Sequence, residues 1–379
     1  MNNSKIWLSS PHMCGSELQF VKEAFDSSRG VPFGQNINGF QEDIKKYLAE
    51  DVFVCALSSG TAAIHLGLVL MGVKAGDVVI CQSMTFSASV NPVLYLGATP
   101  VFIDSELDTW NLCPLALEEA IKDSMAKGKR PKAIIAVHSY GVPYKVDEVK
   151  AIAKKYKIPV LEDSAEALGS SYKGQNCGTF GDFGVLSFNV NKIITTYGGG
   201  VLVTKTEELK NKAIFLSTQS KDTAAHYEHS ELGYNYQMSS VCAGIGRGQV
   251  EVLSHYLSLR MAMHAFYVRL FADIDSVSVF AVPNEDYFSN CWLTAILIDP
   301  KINNGITPEL LRMAFDSENI ESRPLWKPLH LQPIFRKHPY YGAAVAETLF
   351  ENGLCLPSGS NLTDEDRERI TGVVKRLFV

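Results

Sequence analysis

The sequence has 379 residues, and its 46% hydrophobic content is enough to bury a large core in two or three globular domains. A formal net charge of −6 leaves no broad basic surface, which argues against nucleic acid as the main partner. No apolar run approaches the roughly 18 residues of a membrane-spanning helix and the start lacks the apolar core of a signal peptide, so we expect a cytoplasmic protein with no membrane partner.

The eight cysteines are scattered along the chain, and none forms a CxxC pair. This spacing indicates neither a zinc site nor a disulfide framework, so we expect reduced cysteines that lie mostly in the core. The loop at 226–236 has two histidines with Glu228 between them, which is compatible with a bound metal. Solvated or substrate-facing side chains fit this loop better, and we predict no metal site.

Two helical segments come first along the chain, at 17–28 and 38–48, and a Gly- and Pro-containing loop separates them. From residue 52 onward, short β-rich runs alternate with helical segments, among them 61–71, 114–125 and 145–156. This alternation predicts an α/β fold with a mostly parallel sheet of about seven strands and helices on both faces. The predicted strands are 52–57, 78–81, 101–103, 133–137, 158–161, 185–188 and 201–203.

The alternation of short strands and helices ends near Gln249. A long helical segment at 250–272 precedes a strand-like run at 292–298, and further helices are predicted at 308–319 and 364–377. We therefore predict a large domain over residues 1–248, which includes the N-terminal segment, and a smaller C-terminal α+β domain over residues 249–379.

The most informative stretch is residues 162–200, which contains an acid, a lysine and a glycine run. Asp163 follows an apolar run, as expected at the carboxyl end of a buried parallel strand, where open α/β sheets place their ligand crevice. Lys192 lies between two strand-like runs, so we expect its amine to be partly desolvated and usable as a neutral nucleophile. Each residue alone is more often a solvated side chain. Together they suggest pyridoxal 5′-phosphate (PLP), which needs a carboxylate against its ring nitrogen and a reactive lysine.

A second stretch, residues 58–71, has a small polar and glycine turn that leads from a strand into a helix. The free backbone N–H groups of Gly60, Thr61 and Ala62 at the positive helix end would hold a phosphate. The alternative is an ordinary turn in which Ser59 or Thr61 caps the helix. The chain has no correctly spaced GxGxxG and no phosphate-binding loop with its lysine, so nicotinamide and nucleoside-triphosphate cofactors lose support.

Phe86 and the glycines at 198–200 each have two interpretations. Phe86 is either a core aromatic at a helix start or a flat lid that stacks on a cofactor ring. The glycines either allow close backbone approach after Lys192 or form a flexible turn.

Four segments, SGTAAIHL, EDSAEALGS, GTFGDFGVLSFNVNKIITT and ELGYNYQMS, resemble those of PLP-dependent nucleotide-sugar aminotransferases. These enzymes are the DegT-type group of the aspartate aminotransferase fold, fold type I. The resemblance covers nearly the whole chain, from residue 9 to residue 359. Within the group, SSPHMCGSEL, NKIITT, HYEH and ESRPLWKPLH are most similar to transaminases that make UDP-4-amino-4,6-dideoxy-N-acetylglucosamine for bacillosamine or related sugars.

The resemblance implies a role for each matching residue around PLP. It makes Lys192 the residue that joins covalently to the cofactor and acts as general acid and base. Asp163 becomes the partner of the pyridinium nitrogen, Glu166 a neighbour of the cofactor 3′-oxygen, and Phe86 the side chain that stacks on the ring.

The resemblance also implies contacts to the cofactor phosphate and to the sugar nucleotide. Gly60, Thr61 and Ser187 would bind the phosphate, and Asn235 would reach the phosphate of the neighbouring subunit's cofactor, which requires a homodimer. The residues that match segments lining the sugar-nucleotide site are Ser28, Arg29, Gly30, Val31, Ser59, Arg323, Trp326 and His330.

Three positions depart from the family pattern. Gln237 replaces an arginine, which removes a contact across the subunit interface or to the donor carboxylate. Val190 and Tyr197 replace glycines on either side of the lysine motif, so the floor of the pocket is expected to differ. None of the three replaces a catalytic group.

The expected reaction is a transamination in which L-glutamate supplies the amino group and a UDP-linked 4-keto-6-deoxy-N-acetylhexosamine receives it at carbon four. A dehydratase on the same scaffold would have histidine at the lysine position, so Lys192 argues against it. A regulatory protein that keeps a cofactor site without catalysis is the other alternative, and the intact catalytic residues argue against that one.

Overall fold

The computed structural model describes residues 4–26, 34–303 and 305–378, and within them fifteen strands form three sheets. The strands are β1 Phe53–Leu57, β2 Val78–Gln82, β3 Thr99–Ile103, β4 Ala133–Val137, β5 Val160–Asp163, β6 Ser171–Tyr172, β7 Gln175–Asn176, β8 Phe183–Ser187, β9 Gly200–Thr204, β10 Val277–Val279, β11 Tyr287–Phe288, β12 Thr294–Ile298, β13 Arg323–Pro324, β14 Tyr340–Tyr341 and β15 Gly353–Leu356.

Twelve α-helices accompany these strands in the described ranges. They are α1 Glu17–Asp26, α2 Gln35–Leu48, α3 Gly60–Leu70, α4 Asn91–Tyr95, α5 Pro114–Ala126, α6 Val146–Tyr156, α7 Glu207–Ser217, α8 Ser240–Glu251, α9 Leu253–Leu270, α10 Pro308–Ser317, α11 Val345–Asn352 and α12 Asp364–Phe378.

The large sheet has the order β1-β9-β8-β5-β4-β2-β3-β14. Strand β9 is antiparallel to both of its neighbours, and the other pairs are parallel. The predicted α/β architecture with a mostly parallel sheet is therefore confirmed, and each predicted strand corresponds to one of the first seven in this order. The two-residue strand β14 adds an eighth, and it comes from the C-terminal part of the chain.

Helices cover both faces of the large sheet because its central strands are apolar on both sides. Every residue of β2 and β4 is buried. Helices α3, α4 and α7 pack on one face, and α5 and α6 pack on the other. Such two-sided burial is the expected environment of parallel strands.

Helix α8 differs from the sequence prediction, which placed a single long helix at 250–272. The helical region begins earlier, at Ser240, and Val252 separates α8 from α9. The glycines of α8 disfavour a helix in sequence patterns. In the fold they allow close packing, since a Cβ built on Gly246 would lie 2.6 Å from the Phe40 ring and one on Gly248 would lie 2.8 Å from the Glu17 nitrogen.

A second, antiparallel sheet of four strands, β10-β12-β15-β13, lies in the C-terminal part of the chain. Helices α9, α10 and α12 pack against it around one apolar cluster. Strands β11 and β14 come from the same part of the chain but pair with β6 and β3. The domain boundary between residues 248 and 249 stays a prediction. In the ranges that the structure covers, none of the helices has the length and apolarity needed to cross a bilayer.

Candidate active site

A pocket of about 320 Å³ opens at the carboxyl ends of β1, β5 and β8, which run in one direction and so end at the same edge of the sheet. Ligand crevices of open α/β sheets lie at this edge. The residues that line the pocket are Ser59, Gly60, Thr61, Ile64, Thr85, Phe86, Ala88, Ser89, Val137, Asp163, Ala165, Glu166, Ser187, Asn189, Asn191, Lys192, Gly198, Gly199 and Trp326. Nine of the residues predicted from the sequence to bind cofactor or substrate are among them.

Asp163 is the last residue of β5 and is buried in the pocket wall. Its Oδ2 accepts a hydrogen bond of 2.6 Å from the Ser89 hydroxyl, and its Oδ1 accepts one of 3.1 Å from the Ala165 N–H. The Ser89 hydroxyl is also 2.8 Å from the Thr85 hydroxyl. These contacts hold the carboxylate in a fixed orientation at the floor of the pocket.

Lys192 lies in the loop between β8 and β9, and its side chain is 13% exposed. Its Nζ is 3.7 Å from Oε1 of Glu166 and 4.3 Å from the centroid of the Trp292 ring. The carbonyl of the preceding Asn191 accepts hydrogen bonds of 2.8 Å from the Ser9 hydroxyl and from Nε1 of Trp292. The N-terminal segment and the C-terminal part of the chain therefore both fix the peptide that carries the lysine.

Glu166 is a buried carboxylate that faces Lys192. Its Oε2 accepts a hydrogen bond of 2.8 Å from the Tyr140 N–H. Burial raises the pKa of Glu166, and the positive charge of Lys192, the Tyr140 N–H and the Trp326 side chain counter only part of that rise. Glu166 is thus a carboxyl group whose protonation responds to charge placed in the pocket.

The N-terminus of α3 forms one end of the pocket. Ser59 caps the helix, because its Oγ accepts a hydrogen bond of 3.0 Å from the Ala62 N–H, as the ordinary-turn interpretation requires. Gly60 lies against Ser187, since a Cβ built on Gly60 would be 3.1 Å from the Cβ of Ser187. Gly200 allows β9 to approach, since a Cβ there would be 2.4 Å from the Gly60 nitrogen. The Gly60, Thr61 and Ser187 groups are therefore placed together at a positive helix end that suits a phosphate.

Phe86 and Trp326 form the outer wall of the pocket. Phe86 is 55% exposed, which excludes a core role in this chain and leaves its ring available to stack on a ligand. The centroids of the two rings are 5.4 Å apart.

A second cavity of about 540 Å³ adjoins the first, and Asn191 and Trp326 line both. Its lining includes two cationic side chains, Arg323 and Lys327, and one carboxylate, Glu321, which leaves one positive charge in excess. The Arg323 side chain is 67% exposed and forms an ion pair of 2.7 Å with Glu321. Positive charge and apolar surface together suit an elongated anionic ligand that reaches into the first pocket.

Some predicted site residues lie elsewhere. His330 lines neither cavity: its Nδ1 is 2.7 Å from the Ser83 hydroxyl, its Nε2 is 3.1 Å from Oε1 of Glu347, and its ring stacks on Tyr340. These contacts occupy both ring nitrogens. Ser28, Arg29, Gly30 and Val31 lie outside the described residues.

Asn235 and the three departures from the family pattern lie outside the lining of the pocket. Asn235 is exposed and pairs with Thr218. Gln237 lines a small cavity between α2, β1 and α7. Tyr197 keeps the left-handed backbone of a glycine position, with φ of 58°, and its N–H donates to the Thr195 hydroxyl at 2.8 Å. Val190 is partly exposed and has no such positive φ.

Sequence reasoning missed several residues of the site. Ser89, Ala165, Asn189 and Asn191 line the pocket, and the Tyr140 N–H donates a hydrogen bond to Glu166 from outside the lining. Ser89 lies in the QSMTFSAS stretch that contains Phe86, but its bond to Asp163 joins residues 74 apart, which no local pattern reveals. In the loop at 226–236, residues 226–232 are exposed and Tyr234 and Tyr236 are half-buried, and no group of metal-binding side chains occurs in the described part of the chain.

The pocket fits PLP on its geometry. It presents a fixed carboxylate at its floor, a lysine amine, a helix N-terminus beside a serine hydroxyl, and an exposed aromatic ring. These groups match the ring nitrogen, the aldehyde, the phosphate and the flat face of the cofactor in turn.

The DegT/DnrJ/EryC1/StrS aminotransferase family matches the chain over residues 11–375. EpsN of Bacillus subtilis (strain 168), to which a PLP-dependent aminotransferase activity is provisionally ascribed, is 47% identical over 99% of this chain and 96% of its own. GDP-perosamine synthase of Escherichia coli O157:H7 is 34% identical over 94% of this chain and 93% of its own.

The fold agrees with these sequence matches. The PLP form of Spr1654 from Streptococcus pneumoniae, provisionally described as a sugar aminotransferase, superimposes with a TM-score of 0.88 at 26% identity and covers 99% of this chain and 100% of its own. The predicted fold type I architecture and the predicted cofactor are thereby confirmed. The chain belongs to the DegT/DnrJ/EryC1/StrS aminotransferase family and is a PLP-dependent sugar aminotransferase.

Proposed function

We propose that the enzyme moves an amino group from L-glutamate to the carbon-four ketone of a UDP-linked 4-keto-6-deoxy-N-acetylhexosamine. The product would be a UDP-4-amino-4,6-dideoxy sugar for bacterial surface glycans or glycoproteins. The observation that carries the proposal is the second cavity with Arg323 and Lys327, because cationic side chains beside the lysine pocket suit the diphosphate of a nucleotide sugar. L-Glutamate and nucleotide sugars are cytoplasmic metabolites, so we place the reaction in the cytoplasm.

Each of the pocket residues has its own role in the proposed transamination. Bound PLP supplies the electron sink that weakens the Cα–H bond of the amino acid. The amine of Lys192 would take that proton and deliver it to a different carbon, the one that carried the aldehyde of the cofactor, and its low exposure would keep water away during the transfer. The Asp163 carboxylate would keep the ring nitrogen protonated, and the α3 N-terminus with Ser187 would anchor the phosphate. Trp326 lies between the two cavities, where the ketone of the sugar must enter.

A GDP-linked 4-keto sugar is a second candidate, because GDP-perosamine synthase is 34% identical to this chain. The two candidates differ in the nucleotide and in the N-acetyl group of the sugar.

A panel of substrates separates these candidates. PLP-loaded enzyme with L-glutamate should convert UDP-4-keto-6-deoxy-N-acetylhexosamines to amino sugars, and mass spectrometry would show the exchange of oxygen for an NH₂ group. Turnover should be at least about tenfold slower with the GDP-linked keto sugar that lacks the N-acetyl group, because a site that hydrogen-bonds the N-acetyl group leaves its own polar groups unpaired with that sugar. Faster turnover of the GDP-linked sugar would replace the first candidate by the second.

We also propose that the enzyme is a homodimer in which Asn235 completes the partner's site. Asn235 is exposed and does not line its own pocket, and two large apolar side chains of the same stretch of chain, Tyr227 and Leu232, are exposed as well. Exposed large apolar side chains are expected where a second subunit covers the surface.

Subunit mixing tests this arrangement. Lys192→Ala and Asn235→Ala homodimers should each be strongly impaired. A one-to-one mixture that is unfolded and refolded together should recover about a quarter of wild-type activity, because half of the dimers are hybrids with one intact site. Refolded Lys192→Ala alone is the control. A fully active monomer in sedimentation at assay concentration, or no recovery on mixing, would contradict the proposal.

A further inference from the structure

Tyr140 lies behind both cavities in a backbone conformation that tyrosine rarely adopts. It follows β4 in the HSYG turn, is 1% exposed, and has a φ of 56°. Bulky residues in the left-handed region are strained, and such strain persists where the surroundings fix it, often at functional sites. The ring is held by a cluster that includes Trp110, Trp292 and Leu325.

Two hydrogen bonds of Tyr140 reach opposite sides of the site. Its backbone N–H donates to Oε2 of Glu166 at 2.8 Å. Its hydroxyl accepts a hydrogen bond of 2.7 Å from the backbone N–H of Trp326. The Tyr140 and Trp326 rings are also nearly parallel, with an angle of 8° and a centroid distance of 6.2 Å. One residue thus touches the carboxylate beside the cofactor and the aromatic wall between the cavities.

We propose that Tyr140 is a positioning residue that sets the place of Trp326 for the sugar substrate, through its hydroxyl and ring. The proposal rests on the proposed function, in which Trp326 borders the path of the sugar ketone. Trp326 follows β13, and without the tyrosine hydroxyl its backbone N–H would lose its partner in a half-buried place. An unsatisfied donor of this kind moves toward water, which would displace the Trp326 ring from the wall.

The Tyr140→Phe variant isolates the hydroxyl, because the ring and the backbone N–H to Glu166 remain. Tyr144→Phe is a matched control from the same loop. Tyr144 is also fully buried, but its hydroxyl has no hydrogen-bond partner in the described structure. Both variants remove one buried oxygen, and only the first removes a contact to the site.

Hydrogen exchange gives a measurement that needs no turnover. In the wild type, with or without cofactor, the Trp326 amide should be protected. Exchange of the Trp326 amide itself should become at least about tenfold faster in Tyr140→Phe and stay unchanged in Tyr144→Phe. An unprotected Trp326 amide in the wild type overturns the proposal even if the variant fails to fold.

The two half-reactions give the second measurement. For Tyr140→Phe we expect the half-reaction with L-glutamate to stay within about twofold of wild type, and the KM for the keto sugar to rise about tenfold with kcat little changed. Equal losses in both half-reactions, or the same KM change in Tyr144→Phe, would overturn the proposal. If the wild type aminates none of the UDP-linked keto sugars, the proposed substrate is wrong, whereas the exchange experiment still decides the role of Tyr140.

Discussion

The Lys192→Ala variant should lose turnover by at least about 10⁴-fold while the protein remains folded. The amine forms an ion pair of 3.7 Å with the buried Glu166, and it lines the pocket that the α3 N-terminus closes at one end. Without it, no side chain in the described pocket replaces its proton transfer. The side chain of Lys192 contributes little to the core, so thermal unfolding should stay close to that of the wild type.

Cofactor binding should survive this substitution in altered form. The groups that suit the phosphate, Gly60, Thr61 and Ser187, are untouched, so PLP should still bind without a covalent bond. The absorbance of lysine-linked PLP should give way to that of the free aldehyde. In the wild type, borohydride should fix the cofactor to the peptide that contains Lys192, and fixation to any other lysine would mean that the assignment is wrong.

Lys205→Ala is the matched control for this experiment. Burial lowers the pKa of Lys205. If a lowered pKa were the only criterion, this lysine would be a candidate for the reactive amine. It follows β9, which runs antiparallel to β8, and therefore lies at the opposite edge of the sheet from the pocket. Its Nζ donates to the Thr179 carbonyl. The variant should keep its absorbance spectrum and its turnover, because geometry and not acidity selects the catalytic lysine.

The strands of the large sheet could be predicted because their signal is local. Buried runs such as 133–137 are apolar throughout, because a strand that is buried on both faces needs apolar side chains at consecutive positions. The eighth strand, Tyr340–Tyr341, could not be predicted in this way. It has two residues, and it is defined by pairing with Phe102 and Ile103 far away in the chain.

The same distinction between local and long-range signals applies to the residues of the site. Asp163, Lys192 and the Gly60 turn lie next to strand ends, where an apolar run followed by a polar residue can be recognised. Ser89 and Tyr140 act through partners on other strands, so only the fold brings them to the site. His330 lies in a segment that matches the family, but its ring nitrogens contact Ser83 and Glu347 and it lines neither cavity, so its part in the sugar site stays a prediction.

The Asp163→Asn variant should slow the half-reaction with L-glutamate much more than it weakens cofactor binding. Asparagine keeps the shape of the side chain, and its Oδ1 can still accept from the Ala165 N–H. The Ser89 hydroxyl, which donates to Oδ2 at 2.6 Å, would have to turn and accept from the new amide. Packing is therefore preserved, and the substitution removes only the negative charge that we expect to keep the ring nitrogen protonated.

The expected decrease in rate for Asp163→Asn can be compared with the loss of one electrostatic contact that stabilises a transition state. Such a loss costs about 3 to 4 kcal/mol, which corresponds to a rate lower by roughly a hundred- to a thousand-fold. Ser89→Ala removes the hydrogen bond but leaves the charge, so it should slow the same step by only about tenfold or less. The ratio between the two variants separates the contribution of the charge from that of its orientation.

The decisive measurement is the single-turnover rate at which bound PLP is converted to pyridoxamine phosphate at saturating L-glutamate. Saturation removes donor binding from the comparison, so the rate reports the chemical half-reaction. Thermal unfolding of the apoprotein should differ little between wild type and Asp163→Asn, because the side chain faces the pocket and not the core. A change in rate smaller than about threefold would show that Asp163 only terminates β5, since a charge against the ring nitrogen cannot have so small an effect. The partner of that nitrogen would then have to be another residue of the pocket.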